Sequence, residues 1–274
     1  MIAERFRIDE PIGRGAMADV FRALDLHTQA FVALKILRRH MGGDPAARQR
    51  FAREGEVQAR VRHRNVAALL ATGVTSLDEP YLAVELLHGN TLRGAIREHG
   101  KLAPRRAASY AWQALQGLAE VHATGILHRD LKPANIMLEP SPGPFERVVL
   151  IDFGFATFEG GAKLTQQGTV VGSLTYISPE RLRTEPPDQR SDLYAIGVIL
   201  YEMLAGTPPF AAKDDFDLIE AHLSIEPPPL VDLPDALVDV ITRSLAKYQE
   251  DRFDTAVEMA DALEAAAQLL NHLE

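Results

Sequence analysis

Two short segments hold polar side chains that could carry out phosphoryl transfer: residues 128–135 (HRDLKPAN) and residues 151–154 (IDFG). Asp130 can orient a hydroxyl nucleophile and accept its proton, and Lys132 can neutralise charge on a phosphoryl group in flight. Asn135 and Asp152 offer the hard oxygen ligands that Mg²⁺ prefers. Each of these residues alone is usually a solvated loop residue, so the joint pattern is what indicates an active site.

A glycine-rich segment, residues 13–20 (GRGAMADV), is a candidate phosphate cradle. It follows one predicted strand and opens another, whereas a dinucleotide-binding fold would place a helix after its glycines. On its own, a G-x-G motif is more often an ordinary turn. The strand context therefore favours a glycine loop that covers nucleotide phosphates.

Together these segments resemble the signature motifs of Ser/Thr protein kinases, specifically the eukaryotic-like kinases of bacteria, over nearly the whole chain. The resemblance implies an α+β, bilobed protein-kinase fold. A small antiparallel β-sheet lobe with one helix would span residues 1–85, a hinge 86–89, and a larger, mainly helical lobe 90–274. Within the large lobe, residues 152–180 would form the activation segment.

Hydrophobic periodicity predicts the elements of the small lobe. One helix begins after Asp44-Pro45, which supplies a capping side chain and a proline suited to the first turn, and runs to about Arg62. Apolar or alternating runs bounded by turn residues predict five strands, at Phe6–Ile12, Val20–Leu24, Phe31–Leu37, Ala68–Val74 and Tyr81–Glu85.

Beyond residue 86 the apolar period becomes helical. Ala107–Val121 predicts a helix with one apolar face, and Leu193–Leu204 is apolar nearly all round, which predicts a helix buried at the centre of the large lobe. Thr255 and Glu258 have capping-box spacing and begin the last helix, which carries the apolar residues Val257, Leu263 and Leu269. Residues 141–144 (SPGP) predict the turn of a hairpin.

The resemblance also implies a nucleotide site in the small lobe. In residues 32–35 (VALK), strand alternation puts Ala33 and Lys35 on one face, where Ala33 would contact adenine and Lys35 the α- and β-phosphates of ATP. Glu54 is the implied ion-pair partner of Lys35, and Glu56 is the competing candidate. The alternative for Lys35 is an edge lysine that extends into water.

Residues 84–87 (VELL) resemble the family's hinge strand, in which backbone groups of Glu85 and Leu87 would bond the adenine edge, with Val84 as the gatekeeper. Val20 and Met137 would close the adenine slot from above and below, although either could equally be plain core. The predicted nucleotide-binding set is Ile12, Gly13, Arg14, Gly15, Val20, Ala33, Lys35, Val84, Glu85, Leu87 and Met137.

The implied catalytic residues are Asp130, Lys132, Lys35 and Glu54, with Asn135 and Asp152 holding Mg²⁺, or Mn²⁺ as the alternative. Framework roles are implied for a Glu180–Arg252 ion pair and for Asp192, which would hold the backbone of the catalytic loop. His128 and Phe153 would belong to an internal apolar column that aligns the lobes.

Three residues depart from the family pattern or weaken an element. Ala18 stands where the third glycine is usual, and its methyl group is tolerable if the backbone keeps a negative φ. Gln58 brings an amide to the apolar column, so it must find a partner or face water. Gly55 weakens the predicted helix by about 1 kcal/mol relative to Ala.

Composition excludes several other functions. With 46% hydrophobic and 24% charged residues, the 274-residue chain can bury a large core. A net charge of −9 argues against nucleic-acid binding through a basic face and favours basic or neutral protein partners. The lack of cysteine excludes disulfides, thiolate metal sites and a cysteine nucleophile, and suits the cytoplasm, which is the predicted location.

No membrane segment is predicted in this chain, because no apolar run approaches the ~20 residues of a span. Met1–Arg5 carries charges where a signal peptide needs its apolar core. The implied partners are protein substrates. The resemblance leaves open both a homodimer through the small lobe and a longer, membrane-anchored sensor kinase.

The predicted function is ATP- and Mg²⁺-dependent transfer of the γ-phosphoryl group to Ser/Thr hydroxyls of proteins. Autophosphorylation is expected at Thr165 or Thr169, where Arg129 could receive the phosphate, while Ser173 better suits the peptide site. Phe155 is of a type that accompanies serine over threonine in related kinases, with ordinary apolar packing as the equal alternative. Tyrosine should be a poor acceptor.

Two other classes of protein compete with this prediction. An ATP-binding pseudokinase or scaffold is disfavoured because Lys35, Asp130, Asn135 and Asp152 are all present. A small-molecule phosphotransferase is disfavoured by Lys132 and by the peptide-binding segment 172–180.

Overall fold

The computed structural model describes residues 1–15, 17–152 and 174–270. Within residues 1–85, an antiparallel sheet has the strand order β1-β2-β3-β5-β4. Each strand end lies within two residues of its predicted position, so the five strand predictions are confirmed. The strands are β1 (Phe6–Arg14), β2 (Ala18–Asp25), β3 (Ala30–Leu37), β4 (Leu69–Val74) and β5 (Pro80–Glu85).

The two faces of β3 have different environments, as its alternation predicts. Val32, Leu34 and Ile36 pack into a core with Phe6 and Tyr81 on one face of the sheet. On the other face, register places Val20 opposite Lys35 and Ala33 opposite Val84. Directly opposed residues share a face in an antiparallel sheet, so these four side chains lie together.

Two helices accompany this sheet, α1 (Arg39–Gly42) and α2 (Pro45–Gln58). The Asp44 carboxylate accepts a hydrogen bond from Ala46 N at 2.9 Å, so the predicted cap is confirmed. The predicted end at Arg62 is wrong, because the chain turns after Gln58 and runs toward Leu150. Leu150 N donates to Asn65 O at 2.8 Å and Ala67 N donates to Leu150 O at 3.0 Å, which requires an extended backbone.

The larger part of the molecule consists of helices around a short hairpin. Its strands are β6 (Asn90–Thr91), β7 (Ile136–Glu139) and β8 (Arg147–Leu150), and β7 and β8 confirm the predicted hairpin. Its helices are α3 (Leu92–His99), α4 (Pro104–Ala123), α5 (Pro179–Leu182), α6 (Gln189–Ala205), α7 (Asp215–Ser224), α8 (Asp235–Ser244) and α9 (Ala256–Leu269).

Helix α6 lies at the centre of this part, with residues 191–204 all buried, which confirms the prediction made from its apolar run. It approaches α8 so closely that a Cβ atom on Gly197 would lie 2.2 Å from Ser244 Oγ. Helix α4 is packed against the same core through Ala107, Leu115 and Leu118. Segment 128–135, which follows α4, is therefore joined to a helix that is anchored in this core.

Helix α9 begins at the predicted cap, with one difference in the reciprocal bond. Glu258 N donates to Thr255 Oγ1 at 3.1 Å, while Glu258 Oε2 accepts from Asp254 N at 2.7 Å, one residue before the position a capping box uses. Of the apolar residues expected on this helix, Leu263 is buried, whereas Val257 and Leu269 are exposed.

The single tryptophan of the chain, Trp112, lies on α4. It is partly buried and packs with Phe145 of the hairpin loop against the helical core. Trp112 and Phe145 both line two surface pockets, neither of which includes a nucleotide-site candidate.

Candidate active site

Lys35 forms an ion pair with Glu54, as the sequence predicts. Lys35 Nζ lies 2.6 Å from Glu54 Oε1 and 2.9 Å from Asp152 Oδ1. Strand β3, helix α2 and the segment after β8 thus meet at one ammonium group. Glu56, the competing candidate, is exposed on α2. The alternative of a water-directed lysine does not hold, since the Lys35 side chain is only 18% exposed.

Electrostatics reinforce this three-residue contact. Burial alone would lower the pKa of Lys35, but the Glu54 and Asp152 carboxylates outweigh it and raise that pKa above its ordinary value. Burial raises the pKa of Glu54, with Lys35 opposing the shift. Burial would also raise the pKa of Asp152, but Lys35 holds it below the ordinary value. Lys35 is therefore a fixed cation, and Asp152 stays ionised.

The predicted residues of segment 128–135 also come together. Lys132 Nζ lies 2.6 Å from Asp130 Oδ2. Asn135 Nδ2 donates to Asp130 O and to Asp130 Oδ2, both at 2.9 Å. This fixes the Asp130 carboxylate from two sides, and it commits the nitrogen of the Asn135 amide, which leaves Oδ1 as a ligand atom.

The backbone of segment 128–135 is held by Asp192, a buried residue of α6. Asp192 accepts hydrogen bonds from His128 N at 2.8 Å, Arg129 N at 2.9 Å and His122 Nε2 at 2.9 Å. Burial would raise the pKa of Asp192, but the bond from His122 and the backbone donors hold it below its ordinary value. The role expected for Asp192 is confirmed.

The Glu180–Arg252 pair is likewise present. Arg252 Nη2 lies 2.8 Å from Glu180 Oε2, and both side chains are essentially inaccessible to solvent. Ser191 Oγ donates to the same carboxylate at 2.5 Å. This pair joins α5, where the activation segment would end, to the segment before α9.

The structure explains how the fold accommodates Ala18, Gln58 and Gly55. Ala18 does not have a positive φ, and its methyl group is buried against Leu37 and Phe51. Gln58 Nε2 donates to Ala67 O at 2.8 Å, so its buried amide has a partner. A Cβ atom on Gly55 would lie 2.6 Å from Leu82 Cδ2, so the glycine allows α2 to approach β5 closely.

One cleft of about 960 Å³ contains all of the predicted site residues. The catalytic and metal-binding candidates line this cleft; they are Asp130, Lys132, Lys35, Glu54, Asn135 and Asp152. The other predicted nucleotide-binding residues line it as well; they are Ile12, Gly13, Arg14, Gly15, Val20, Ala33, Val84, Glu85, Leu87 and Met137. Residues from six separate segments of the sequence therefore face one space of the size that ligand sites have.

Several expectations fall on residues that the structure does not describe. Phe153, Phe155, Thr165, Thr169 and Ser173 lie outside the described residues, together with most of segment 152–180.

Comparison with known proteins assigns the family. Residues 6–272 match the family described as the protein kinase domain. The chain belongs to the protein kinase family. The bilobed kinase fold follows, with β1–β5, α1 and α2 as the small lobe and β6–β8 with α3–α9 as the large lobe.

Several bacterial kinases are similar to this kinase domain over most of its length. A probable serine/threonine-protein kinase of Corynebacterium efficiens is 38% identical over 96% of the chain and 41% of its own length. Serine/threonine-protein kinase PknB of Mycobacterium tuberculosis is 36% identical over 94% of the chain and 42% of its own length. The chain thus spans about two fifths of the length of these relatives.

Use of ATP and a divalent metal ion is general in this family. The kinase domain has fitting groups for both, since Asn135 and Asp152 offer hard oxygen ligands and the slot beside the hinge is apolar. None of the described helices is both long and apolar enough to cross a membrane.

The sequence interpretation missed a set of ionic contacts at residues 85–88, the predicted hinge. Arg147 on β8 contacts two carboxylates, with Nη2 at 2.6 Å from Glu85 Oε1 and Nε at 3.1 Å from Glu139 Oε2. Glu139 Oε1 also accepts from His88 N at 3.3 Å. Residues 85 and 88 are therefore joined to the β7–β8 hairpin by Arg147 and Glu139, and no local sequence pattern signals a contact between such distant residues.

A second missed residue is Arg50, which lines the same cleft. It precedes Glu54 by one helical turn on α2. The i,i+4 spacing of a helix could have nominated it, because residues at that spacing share a face.

Proposed function

We propose that this domain transfers the γ-phosphoryl group of ATP to Ser or Thr hydroxyls of proteins. The observation that carries the proposal is the convergence of Lys35–Glu54–Asp152 and Asp130–Lys132–Asn135 in one cleft. The printed names of the relatives, serine/threonine-protein kinases, support the acceptor class.

The contacts support the following roles for these residues. Asp130 orients the acceptor hydroxyl and takes its proton, and Lys132, 2.6 Å away, carries positive charge next to the transferred group. Lys35 binds nucleotide phosphates while Glu54 holds it in place. Asn135 and Asp152 would hold the metal ion, which when bound neutralises phosphate charge.

The adenine ring would occupy the slot between Ala33, Val20 and Met137. The Glu85 carbonyl and the Leu87 amide would bond its edge, with Val84 behind it. The ion pair between Arg147 and Glu85 supports this assignment, because it keeps the hinge backbone in one place for hydrogen bonding.

Radiolabelled phosphate transfer from ATP to a generic protein acceptor tests the proposal. The wild-type chain should label the protein and Asp130→Asn should not, while Asp239→Asn, which removes an exposed carboxylate on α8, should behave as wild type. ATP binding without transfer would identify a pseudokinase. Transfer to an aminoglycoside but not to protein would identify a small-molecule phosphotransferase.

The acceptor preference and the activation step are part of the same proposal. Peptides that differ only in Ser, Thr or Tyr at the acceptor should react slowest with Tyr, and serine should exceed threonine if Phe155 has the role expected of it. Mass spectrometry of active enzyme should find phosphate on Thr165 or Thr169. Full activity of the double Ala variant without either modification would contradict the activation step.

Other expectations stay proposals as well. They are the boundaries 1–85, 86–89 and 90–274, Mg²⁺ in preference to Mn²⁺, action in the ATP-containing cytoplasm, and a homodimer through the small lobe. Replacing Mg²⁺ by Mn²⁺ in the transfer assay tests the metal preference. Sedimentation of the purified chain tests the homodimer.

A further inference from the structure

Arg181, one residue after Glu180 on α5, contacts the proposed catalytic loop, residues 128–135. Its Nη1 donates a hydrogen bond to Arg129 O at 2.8 Å. That carbonyl belongs to the peptide group that joins Arg129 to Asp130. A residue outside the catalytic loop therefore holds the peptide unit directly before the proposed proton acceptor.

This peptide unit needs external support. Arg129 has a φ of +65°, in the left-handed region that non-glycine residues rarely occupy, so its conformation persists only where surrounding contacts determine it. Asp192 holds the Arg129 N–H at 2.9 Å, and Arg181 holds the carbonyl. Both backbone groups of the strained residue are thus fixed, one by a carboxylate and one by a guanidinium.

Both hydrogen bonds to the Arg129 backbone involve a charged side chain, the carboxylate of Asp192 and the guanidinium of Arg181. A charged partner makes a hydrogen bond shorter and stronger than a neutral one. Burial lowers the pKa of Arg181, but the carboxylates of Asp192, Asp130 and Glu180 act in the opposite direction, and a guanidinium keeps its charge in proteins. Arg181 therefore contributes a lasting cation beside the Asp130 segment.

Arg181 is separate from the ion pair that holds α5 in the fold. That task belongs to Glu180, which is bound to Arg252 at 2.8 Å and to Ser191 at 2.5 Å. In contrast, the hydrogen bond of Arg181 goes to Arg129 O, next to the reacting group. Loss of Arg181 should therefore disturb the loop more than the helix.

We infer that Arg181 is a positioning residue for Asp130, acting through the Arg129–Asp130 peptide group. This inference rests on the proposed function, since it gives Asp130 the hydroxyl-orienting role. If the peptide rotates, the carboxylate moves relative to Lys132 and Asn135, whose side-chain nitrogens lie 2.6 and 2.9 Å from Asp130 Oδ2. Small misplacements of a reacting group can slow an enzyme by about 10²-fold.

Three variants test this inference by steady-state kinetics. Arg181→Met keeps most of the hydrocarbon volume and removes the donor, and Arg181→Lys returns one charged donor. Arg183→Met is the matched control, because Arg183 Nη1 donates to Lys247 O at 3.1 Å, another guanidinium–carbonyl bond of the same helix end that does not reach the catalytic loop.

Arg181→Met should lower kcat by about 10- to 100-fold with an unchanged KM for ATP, and Arg181→Lys should recover part of the loss. Arg183→Met should leave kcat unchanged at a comparable melting temperature. Equal kcat for Arg181→Met and Arg183→Met, or a loss that follows the melting temperature of both, would overturn the inference.

Hydrogen exchange gives a readout that does not depend on activity. The amides of Arg129 and Asp130 donate to Asp192 Oδ1 and His128 O at 2.9 Å, so peptides that cover them should lose protection in Arg181→Met and keep it in Arg183→Met. Unchanged protection would refute the positioning role. If the wild-type chain transferred no phosphate, the proposed function would fail, whereas the exchange result would still decide whether Arg181 holds this loop.

Discussion

The two ion pairs Lys35–Glu54 and Glu180–Arg252 have similar lengths, 2.6 and 2.8 Å, but very different surroundings. The first joins a strand to a helix at the edge of the cleft, and its side chains are 18% and 13% exposed. The second lies inside the large lobe with exposures of 1% and 0%. The comparison separates an ion pair that borders an open cleft from one that is enclosed within the fold.

The hydrogen bonds explain the difference. Arg252 also donates through Nε to Ala246 O at 2.8 Å and through Nη1 to Arg190 O at 3.2 Å, and Ser191 completes the Glu180 side. Lys35 instead shares its ammonium between two carboxylates and faces an open space. An enclosed pair can only be kept or broken, whereas a pair at a cleft can exchange a partner for a ligand phosphate.

Breaking the enclosed pair should have the largest effect. Arg252→Met leaves the Glu180 carboxylate buried without its cation, so we expect the free energy of unfolding to fall by about 3–5 kcal/mol. Chemical denaturation measures this loss. The control is Asp78→Asn, which breaks an ion pair with Arg48 at 3.0 Å whose side chains are 78% and 32% exposed and which should contribute only ~0–1 kcal/mol. Equal losses of unfolding free energy in the two variants would show that enclosure does not make the Glu180–Arg252 pair more important for stability.

Breaking the cleft pair should act on activity instead. Lys35→Met should reduce phosphate transfer by about 10²–10³-fold, because one preorganised cation at the phosphates is lost. The melting temperature should change little, since the raised pKa of Glu54 lets this carboxyl take up a proton once its partner is gone. Asp152→Asn should behave in the same way. Near-normal turnover of both variants with Mg²⁺ and ATP would disprove the site assignment.

Acid should affect the surroundings of the enclosed pair before those of the cleft pair. The Arg252 guanidinium lies over the Tyr194 ring, and the Tyr194 hydroxyl is 2.8 Å from Nδ1 of the buried His222. Burial lowers the pKa of His222 to about 3. Unfolded His222 binds a proton below about pH 6.5, whereas the folded residue does not until about pH 3, so stability falls with decreasing pH in this window.

The expected loss from His222 is about 1.4 kcal/mol per pH unit below 6.5. Denaturation between pH 7 and pH 5 should show a shallower dependence in His222→Gln than in wild type, while His128, whose pKa burial also lowers, contributes in both proteins. Lys35 adds no acid sensitivity, because its raised pKa makes a stabilising contribution that is lost only at alkaline pH. Identical pH profiles for the two proteins would exclude His222 as the source.

The smallest effect is expected at the helix that carries Glu54. Gly55→Ala gains about 1 kcal/mol of helix propensity but forces the new methyl against Leu82, which typically costs about 1–3 kcal/mol. The free energy of unfolding should therefore change little. A shift of α2 should lengthen the Lys35–Glu54 contact and weaken ATP binding, which calorimetry measures. Adding Leu82→Val removes the clashing methyl and should restore affinity. Unchanged affinity in the single variant would mean that the contact tolerates movement of α2.

The two pairs also differ in what made them predictable. Strand alternation placed Ala33 and Lys35 on one face, and helical position together with the family motif selected Glu54 over Glu56. The catalytic candidates Asp130, Lys132 and Asn135 are close in sequence, so their proximity follows from chain connectivity. The Glu180–Arg252 pair, between residues 72 positions apart, came from the family resemblance alone.

Other contacts gave no sequence signal. The end of α2 depends on backbone bonds between segment 65–67 and Leu150, and the bridge from Arg147 to Glu85 joins residues from different lobes. The hydrogen bond from Arg181 to Arg129 is of the same kind. Each depends on how distant surfaces meet, which periodicity and capping rules do not encode.

The position of Trp112 determines which part of the molecule intrinsic fluorescence can report. The chain's single tryptophan is packed with Phe145 on the large lobe, and it is not among the residues that line the cleft. Its emission will therefore follow melting of the helical core and will be silent to events at the glycine loop or α2. A second tryptophan in place of Phe31, an exposed aromatic residue on β3, would provide an independent optical signal from the small lobe.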